Sequence, residues 1–379
     1  MDPMQKAAVI QALSYTEGQL PFKYLGVPLD TKKLSILQLQ PLITKMVAKI
    51  TSWTAKKLSY AGRAQLVQTV LFAIQSYWAQ LFTLPVQIVK LIEAYCRSYL
   101  WSGGNVLTKK LLLAWEKVCL PKSVGGLNLT NLQVWNSAAI AKTYWDLTHK
   151  QDKLWIKWIH AYYVKRQRID DMSIPQSASW MIRKIFEAKQ IINQLHRPLD
   201  EQTIIIKHIY LQLIPIHSKM DWRCLMFQNN ARPKAIFTMW IQNHGRLLTK
   251  DRLKRWGLHM DETCVLCQAD KETREHLFAE CAYANRLWTR LSQWAQVHSI
   301  VPNIWIQYFQ LIIHHSKGKT ASAMLLKMMY VEYIYVLWRE RNTRIFEGAS
   351  REHEALAREV VSMCYFRADK KVKGLIQNL

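Results

Sequence analysis

Three cysteines and one histidine lie within the eighteen-residue segment "CVLCQADKETREHLFAEC", residues 264–281. Two residues separate Cys264 from Cys267, a spacing that lets both thiolates bind one ion across a tight turn. Eight residues then precede His276, and four more precede Cys281. Three thiolates and one imidazole form a closed set of ligands, which suits tetrahedral Zn²⁺ and leaves no open coordination position. The spacing therefore predicts one zinc ion with a structural, non-catalytic role.

The alternative is that these are ordinary buried cysteines beside a surface histidine. Three cysteines and one histidine at ligand spacing rarely coincide by chance, which favours the metal site. Residues five apart on an α-helix lie about 140° apart around its axis, so a helix must tighten or break between His276 and Cys281. The remaining cysteines have no paired spacing, which argues against a disulfide framework and for a reducing intracellular compartment, nucleus or cytoplasm.

The metal loop itself is acidic, with six acidic residues against Lys271 and Arg274 between positions 261 and 280. It is therefore a poor surface for phosphates. The preceding run, "RLLTKDRLKRWG", has five basic residues and one acid. Phosphate oxygens attract Lys and Arg, so the residues predicted to contact phosphates here are Arg246, Lys250, Arg252, Lys254 and Arg255.

The chain as a whole has a formal net charge of +25, which indicates a polyanionic partner, most often nucleic acid. Between Thr31 and Trp145 the only acids are Glu93 and Glu116, whereas fourteen residues are Lys or Arg. The alternative is a merely solvated surface, but such surfaces usually mix both signs. The residues predicted to bind nucleic acid in this region are Lys45, Lys49, Lys56, Lys57 and Arg63.

The patterns of apolar residues predict a mainly α fold. Apolar residues recur at three- and four-residue intervals between Leu39 and Ile50, and Pro41 suits only a first helical turn. Further helices are predicted over residues 61–82, ending before Pro85, and over 85–101, ending at a Gly-Gly pair. The segment "GQLPFKYLGVPLD" is predicted to be extended, and residues 153–193 and those from about 304 onward to be helical.

No secretory signal and no membrane span is expected, because the most apolar stretches are interrupted by Gln, Lys or Glu at helical intervals. The sixteen tryptophans are expected to lie mostly in the core, with a minority free to stack on bases.

The segment "PKAIFTMWIQNHGRLLTKDRLKRWGLHMDETCVLCQADKETREHLFAECAYANRLW" resembles the zinc-binding domain downstream of the reverse transcriptase in plant-type LINE (non-LTR) retrotransposons. Earlier stretches, "LPFKYLGVPL", "ITSWTAKKLSYAGRAQLVQTVL" and "KVCLPKSVGGLNLTNLQVWNSAAIAK", resemble the region just after the polymerase palm, and "LWRERNTRIFEG" extends the resemblance near the end.

The resemblance implies a thumb that holds a template–primer duplex. The predicted partner is RNA, or an RNA–DNA or DNA duplex, bound largely without sequence preference. The resemblance also implies a primer-border position for Tyr24, Leu25 and Gly26. The predicted organisation is a palm–thumb border segment (1–30), a basic thumb-like helical region (31–145), a helical connector (146–203), the zinc-binding domain (204–290) and a C-terminal helical region (291–379).

Polymerisation requires carboxylates that hold two Mg²⁺ ions. The family has them on an aromatic-x-Asp-Asp turn upstream of "KYLG", where this sequence has about twenty residues and no such motif. Asp170-Asp171 lies downstream and lacks the aromatic residue. The prediction is therefore a truncated, non-catalytic retrotransposon fragment that binds zinc and nucleic acid, with no membrane and no small-molecule substrate. The alternative is an inert or domesticated structural or interaction protein without nucleic-acid function.

Overall fold

A computed structural model describes residues 3–14, 22–24, 27–30, 32–54, 57–109, 111–149, 152–165, 167–196, 205–296 and 304–377. The predicted mainly α fold is confirmed: helices make up most of these residues, and their strands form one two-stranded sheet. None of the described helices is long and apolar enough to cross a membrane. Up to residue 149 the elements are α1 (Pro3–Leu13), β1 (Phe22–Tyr24), β2 (Val27–Leu29), α2 (Gln40–Thr54), α3 (Tyr60–Leu66), α4 (Phe72–Leu81), α5 (Val86–Ser102), α6 (Trp115–Cys119) and α7 (Leu132–His149).

In the second part of the chain the regular elements among the described residues are helices, joined by loops. Short π-helical turns follow α3 and α8, at Val67–Leu71 and His160–Val164. The helices are α8 (Leu154–Ile159), α9 (Trp180–Glu187), α10 (Lys189–Asn193), α11 (Ile206–Leu213), α12 (Pro233–Asn243), α13 (Lys250–Arg255), α14 (Ala282–Trp294), α15 (Trp305–His315), α16 (Ala321–Phe346), α17 (His353–Arg367) and α18 (Lys370–Gln377).

The N-terminal sequence patterns fold as predicted. β1 and β2 lie within the segment predicted to be extended and pair antiparallel, with Phe22 opposite Leu29. In α2 the periodic apolar residues are buried and Pro41 lies in the first turn, where its missing N–H costs no hydrogen bond. α5 ends just before Gly103, whose φ of +76° is a left-handed conformation that glycine adopts without strain.

Two hydrophobic cores organise the described residues. The smaller core joins α7 to α8, α9 and α11, and includes Tyr144, Ile156, Phe186 and Tyr210. The larger core contains buried residues of the thumb-like region, of the segment around the metal loop and of the C-terminal helices together. α16 packs against α12 and α17, so residues after 290 share a core with those before it. The four boundaries between the five predicted regions stay predictions, and the boundary at 203–204 lies outside the described residues.

Candidate metal centre and basic surfaces

The first two cysteines lie on a tight turn closed by backbone hydrogen bonds. Thr263 and Lys271 form an isolated antiparallel bridge at its base. The Cys264 N–H donates to the Asp270 carbonyl at 2.7 Å, and the Gln268 N–H donates to the Cys264 carbonyl at 2.8 Å. Gln268 has a φ of +57°, which reverses the chain. Both cysteine side chains therefore face the same side of the turn.

His276 and Cys281 are brought together by a helix that widens. The predicted break is present, but as a π-helical turn over His276–Glu280 rather than by tightening. The Cys281 N–H donates to the His276 carbonyl at 2.7 Å, and the backbone of Cys281 is extended. The wider turn reduces the unfavourable 140° separation of a regular helix, because a π-helical turn joins residues five apart by a hydrogen bond.

The four side chains converge as a ligand set. The Sγ atoms of Cys264, Cys267 and Cys281 and a ring nitrogen of His276 all lie within 4.8 Å of one another. Nε2 of His276 is 3.2 Å from Sγ of Cys267. Cys264, His276 and Cys281 are buried and Cys267 is half-buried. A metal ion could bind these four atoms, and soft thiolates with one imidazole are the donors that zinc prefers.

The electrostatics of the cluster also suit a cation. The hydrogen bond with Cys281, together with burial, raises the pKa of Cys264 to about 12, and the same hydrogen bond lowers the pKa of Cys281. The hydrogen bond to Cys264, helped by Cys267, raises the pKa of His276 to about 9 against the opposing effect of burial. Three thiols this close cannot all ionise unless a positive charge lies among them, and a metal ion displaces their protons.

Helix α16 supports the metal loop from far along the chain. Arg341 forms a buried bidentate pair with Glu272, with Nη2 2.7 Å and Nε 3.0 Å from Oε1. The same carboxylate accepts the Lys250 N–H at 3.0 Å. Nη1 of Arg344 donates to the Leu266 carbonyl, between the two loop cysteines, at 3.2 Å. These residues were missed by sequence reasoning, although acids and arginines within an apolar helix are a usable signal.

A second group of ion pairs fixes α16 to α17. Glu340, fully buried, accepts hydrogen bonds from the Arg351 backbone and from Arg344. Burial alone would raise the pKa of Glu340, but these hydrogen bonds outweigh it and hold the pKa below its ordinary value. The pKa of Glu359 is also lowered, because its contacts with Arg339 and Arg351 outweigh burial.

The basic run before the metal loop is largely engaged within the fold. Arg252 is buried and its guanidinium donates to the Gly245 carbonyl at 3.0 Å, so its predicted phosphate contact, which stays a prediction, would require this hydrogen bond to break. Nζ of Lys250 donates to the Thr263 carbonyl at 2.7 Å. Lys254 pairs with Glu262 at 3.0 Å and Arg255 with Asp251 at 2.5 Å. The phosphate role of Lys250, Lys254, Arg255 and the exposed Arg246 stays a prediction.

The thumb-like region presents a different basic surface. Lys45, Lys49 and Lys57 are exposed, and none has an acidic partner among the described residues. Lys45 and Lys49 lie one turn apart on the outer face of α2. Arg63 is half-buried and donates to the Leu100 carbonyl at 3.3 Å, which gives it a structural contact in place of free exposure.

Three other predicted site residues lie outside the residues that the structure describes: Lys56, Leu25 and Gly26. Tyr24, the remaining residue of the predicted primer-border segment, ends β1. In the Asp-Asp pair, Asp171 is exposed, 3.8 Å from the Arg168 guanidinium.

Comparisons with known proteins agree with this site. Residues 205–288 match the protein family described as zinc-binding in reverse transcriptase. A protein of Arabidopsis thaliana named "Putative ribonuclease H protein" is 27% identical over 154 residues, which are 41% of this chain and 25% of that protein. An uncharacterized mitochondrial protein of the same plant is 23% identical over 123 residues, 32% of this chain and 80% of that protein. The chain thus spans only a quarter of the first relative.

The segment that forms the cysteine–histidine cluster therefore matches the zinc-binding type of domain found in reverse transcriptases. Together with the two plant relatives, this match supports an origin of the region in a plant retrotransposon reverse transcriptase, as the sequence motifs predicted.

Proposed function

We propose that this region binds one Zn²⁺ as a structural ion and binds nucleic acid through its thumb-like basic surface, without catalysing polymerisation. The observation that supports zinc is the four ligand atoms within 4.8 Å of one another. A tetrahedral site with Zn–S bonds of ~2.3 Å has edges of about 3.8 Å, so the cluster needs to contract by no more than about 1 Å.

Nucleic-acid binding is supported by the charge that the fold leaves exposed. Lys45, Lys49 and Lys57 face solvent without acidic partners among the described residues. Glu93, one of the two acids of the thumb-like region, is half-buried, and burial together with Glu116 raises its pKa to about 7. Near neutral pH this acid is therefore partly uncharged, which leaves the region more basic than its composition indicates. Such a surface binds phosphates without reading sequence.

The zinc test is metal analysis of the purified chain with and without a chelator. We expect about one zinc per chain, and its removal should unfold the region around residues 236–290, because binding and folding of such a site are coupled. Cys264→Ser should lose the metal. Cys224→Ser, which alters a half-buried cysteine outside the cluster, should retain it. A wild-type chain without zinc would contradict the proposal.

The nucleic-acid test is binding to a template–primer duplex over a range of salt concentrations. We expect affinity to fall steeply as salt rises, because each neutralised phosphate releases counterions. No affinity at low salt would favour the alternative of a structural protein without nucleic-acid function. In the same preparation we expect no primer extension with Mg²⁺ or Mn²⁺, and incorporation that is abolished by a chelator would contradict the non-catalytic role.

A further inference from the structure

A row of large apolar side chains lies exposed on the outer side of α8 and the π-helical turn that continues it. The inner side of this segment, including Ile156, Ile159 and Val164, is buried in the smaller core. Trp158 is 52% exposed and Tyr162 is 58% exposed. Because residues about four apart share one helical face, these side chains form a continuous outer stripe of Leu154, Trp155, Trp158 and Tyr162. Trp155 and Trp158 thus depart from the core position expected for most tryptophans.

The aromatic rings of the outer stripe have a defined arrangement. The rings of Trp158 and Tyr162 are nearly parallel, with an interplanar angle of 7° and centroids 5.6 Å apart. Tyr163, half-buried, meets both rings edge-on, at 83° and 77°. Edge-to-face contacts are favourable aromatic geometry and hold the two outer rings in place. The stripe therefore presents flat, pre-ordered rings to solvent, and large exposed apolar surfaces of this kind mark binding sites.

The segment that carries the stripe has charges of one sign, and acids lie only at its margins. From position 153 to position 168 the sequence has five basic residues and no acid. Lys157 and Lys165 are exposed, with no acidic partner among the described residues. At the margins, Lys153 lies 3.7 Å from the buried Asp146, and Arg168 lies 3.8 Å from Asp171 at the surface, where such a contact is weak. The exposed Asp152 is a further acid at the N-terminal end.

We propose that the outer stripe binds unpaired nucleotides of single-stranded RNA or DNA. Bases stack on the rings of Trp158 and Tyr162, while Lys157 and Lys165 neutralise phosphates. A duplex hides the faces of its bases, so this site selects single strands, unlike the thumb-like surface. A protein partner would also cover the apolar rings, but it would not require a segment with five basic residues and no acid. The inference rests on the proposed nucleic-acid binding of the chain.

The experiment measures binding of the full chain to a single-stranded oligonucleotide that contains 2-aminopurine, a base whose fluorescence falls on stacking. We expect Trp158→Ala with Tyr162→Ala to weaken single-strand binding about tenfold or more and to abolish the quenching, because each stacked base contributes substantially. Duplex affinity should not change. Trp158→Phe, which retains a ring, should keep most of the affinity. Phe366→Ala removes an exposed ring elsewhere and should change neither the single-strand affinity nor the quenching.

The outcomes separate this inference from the proposed function. If the wild type binds neither single strands nor duplex, both fail. If it binds duplex, and the double variant binds and quenches the single strand like the wild type, the outer stripe is not a base-stacking site although the proposed function stands. If the wild type self-associates and the double variant does not, with single-strand binding unchanged, the stripe is a protein interface and the inference is wrong. Circular dichroism of each variant verifies the fold, and Lys157→Gln tests the charge separately.

Discussion

Two segments of this chain, residues 246–255 and residues 45–57, are both rich in basic residues, but they differ in how the fold engages their charges. In the first, Arg252 is buried and Lys250, Lys254 and Arg255 contact oxygen atoms of the same region. In the second, Lys45, Lys49 and Lys57 have no acidic partner among the described residues. A count of basic residues therefore describes only the composition of a segment. Whether its basic side chains are available to a ligand depends on which acids fold against them.

The acidic metal loop explains the difference. The loop is crowded with carboxylates, so the basic run on α13 folds back against it and offsets their repulsion. α16 also offsets the negative charge of the loop, because Arg341 pairs with Glu272. The thumb-like region has only two acids in its sequence, so its lysines have few internal partners to find. We infer that the first segment serves the fold and the second serves binding.

The largest expected effect comes from breaking a pair that belongs to the fold. Arg341→Met leaves the Glu272 carboxylate buried without its partner, which typically costs about 3–5 kcal/mol. We expect that loss in the free energy of unfolding measured with urea, together with weaker zinc retention, because Glu272 belongs to the metal loop. Arg290→Met, which removes one side of a half-exposed pair with Glu354, is the matched control and should cost less than about 1 kcal/mol. Equal losses in the two variants would contradict a structural role for the Arg341–Glu272 pair.

The next effect concerns the binding surface. Replacing Lys45, Lys49, Lys56 and Lys57 with Gln deletes four charges, and Gln keeps the helix propensity of α2 at positions 45 and 49. We expect weaker binding to all duplex sequences alike, and a salt slope of log affinity shallower by at most about three to four units, since each phosphate contact contributes about 0.9.

The matched control deletes four charges that have acidic partners, by Gln substitution at Lys254, Arg255, Lys271 and Arg290. Its salt slope should change by less than about one unit. If the first quadruple variant keeps its affinity and slope with an intact fold, the thumb-like surface is merely solvated. If the control loses as much as the first variant, the two segments do not differ in function.

Sequence reasoning succeeded where the determining interactions are local. The periodicity of α2 and the glycine that ends α5 each depend on residues within a few turns, and the four ligands lie within eighteen positions. It failed where partners are distant. Glu272 and Arg341 are 69 positions apart, so no local pattern predicts that they meet. The exposure of Trp158 could not be predicted either, because burial depends on which helices pack against α8.

A smaller loss of stability, which involves two carboxylates, is expected at acidic pH. The pKa values of Glu340 and Glu359 are lowered by their arginine partners. Each carboxylate therefore contributes stability that is fully present above its ordinary pKa of 4.5 and is lost as the pH falls through the lower value of the folded state. We expect unfolding by urea to become easier below about pH 4.5. Glu340→Gln should reduce this pH dependence, and an unchanged pH profile in that variant would contradict the assignment.

The smallest expected effect is at the surface of the first basic segment. Arg255 pairs with Asp251 one turn earlier on α13, but its side chain is mostly exposed, and such helical pairs contribute about 0.3–0.5 kcal/mol. Arg255→Gln should therefore lower the free energy of unfolding by no more than about 0.5 kcal/mol, and this difference should vanish at about 1 M salt because the charges are screened. Duplex affinity should stay within about twofold of wild type, since this arginine already has an acidic partner. A tenfold loss of affinity with unchanged stability would mean that Arg255 leaves Asp251 for a phosphate, and the distinction between the two basic segments would then be wrong.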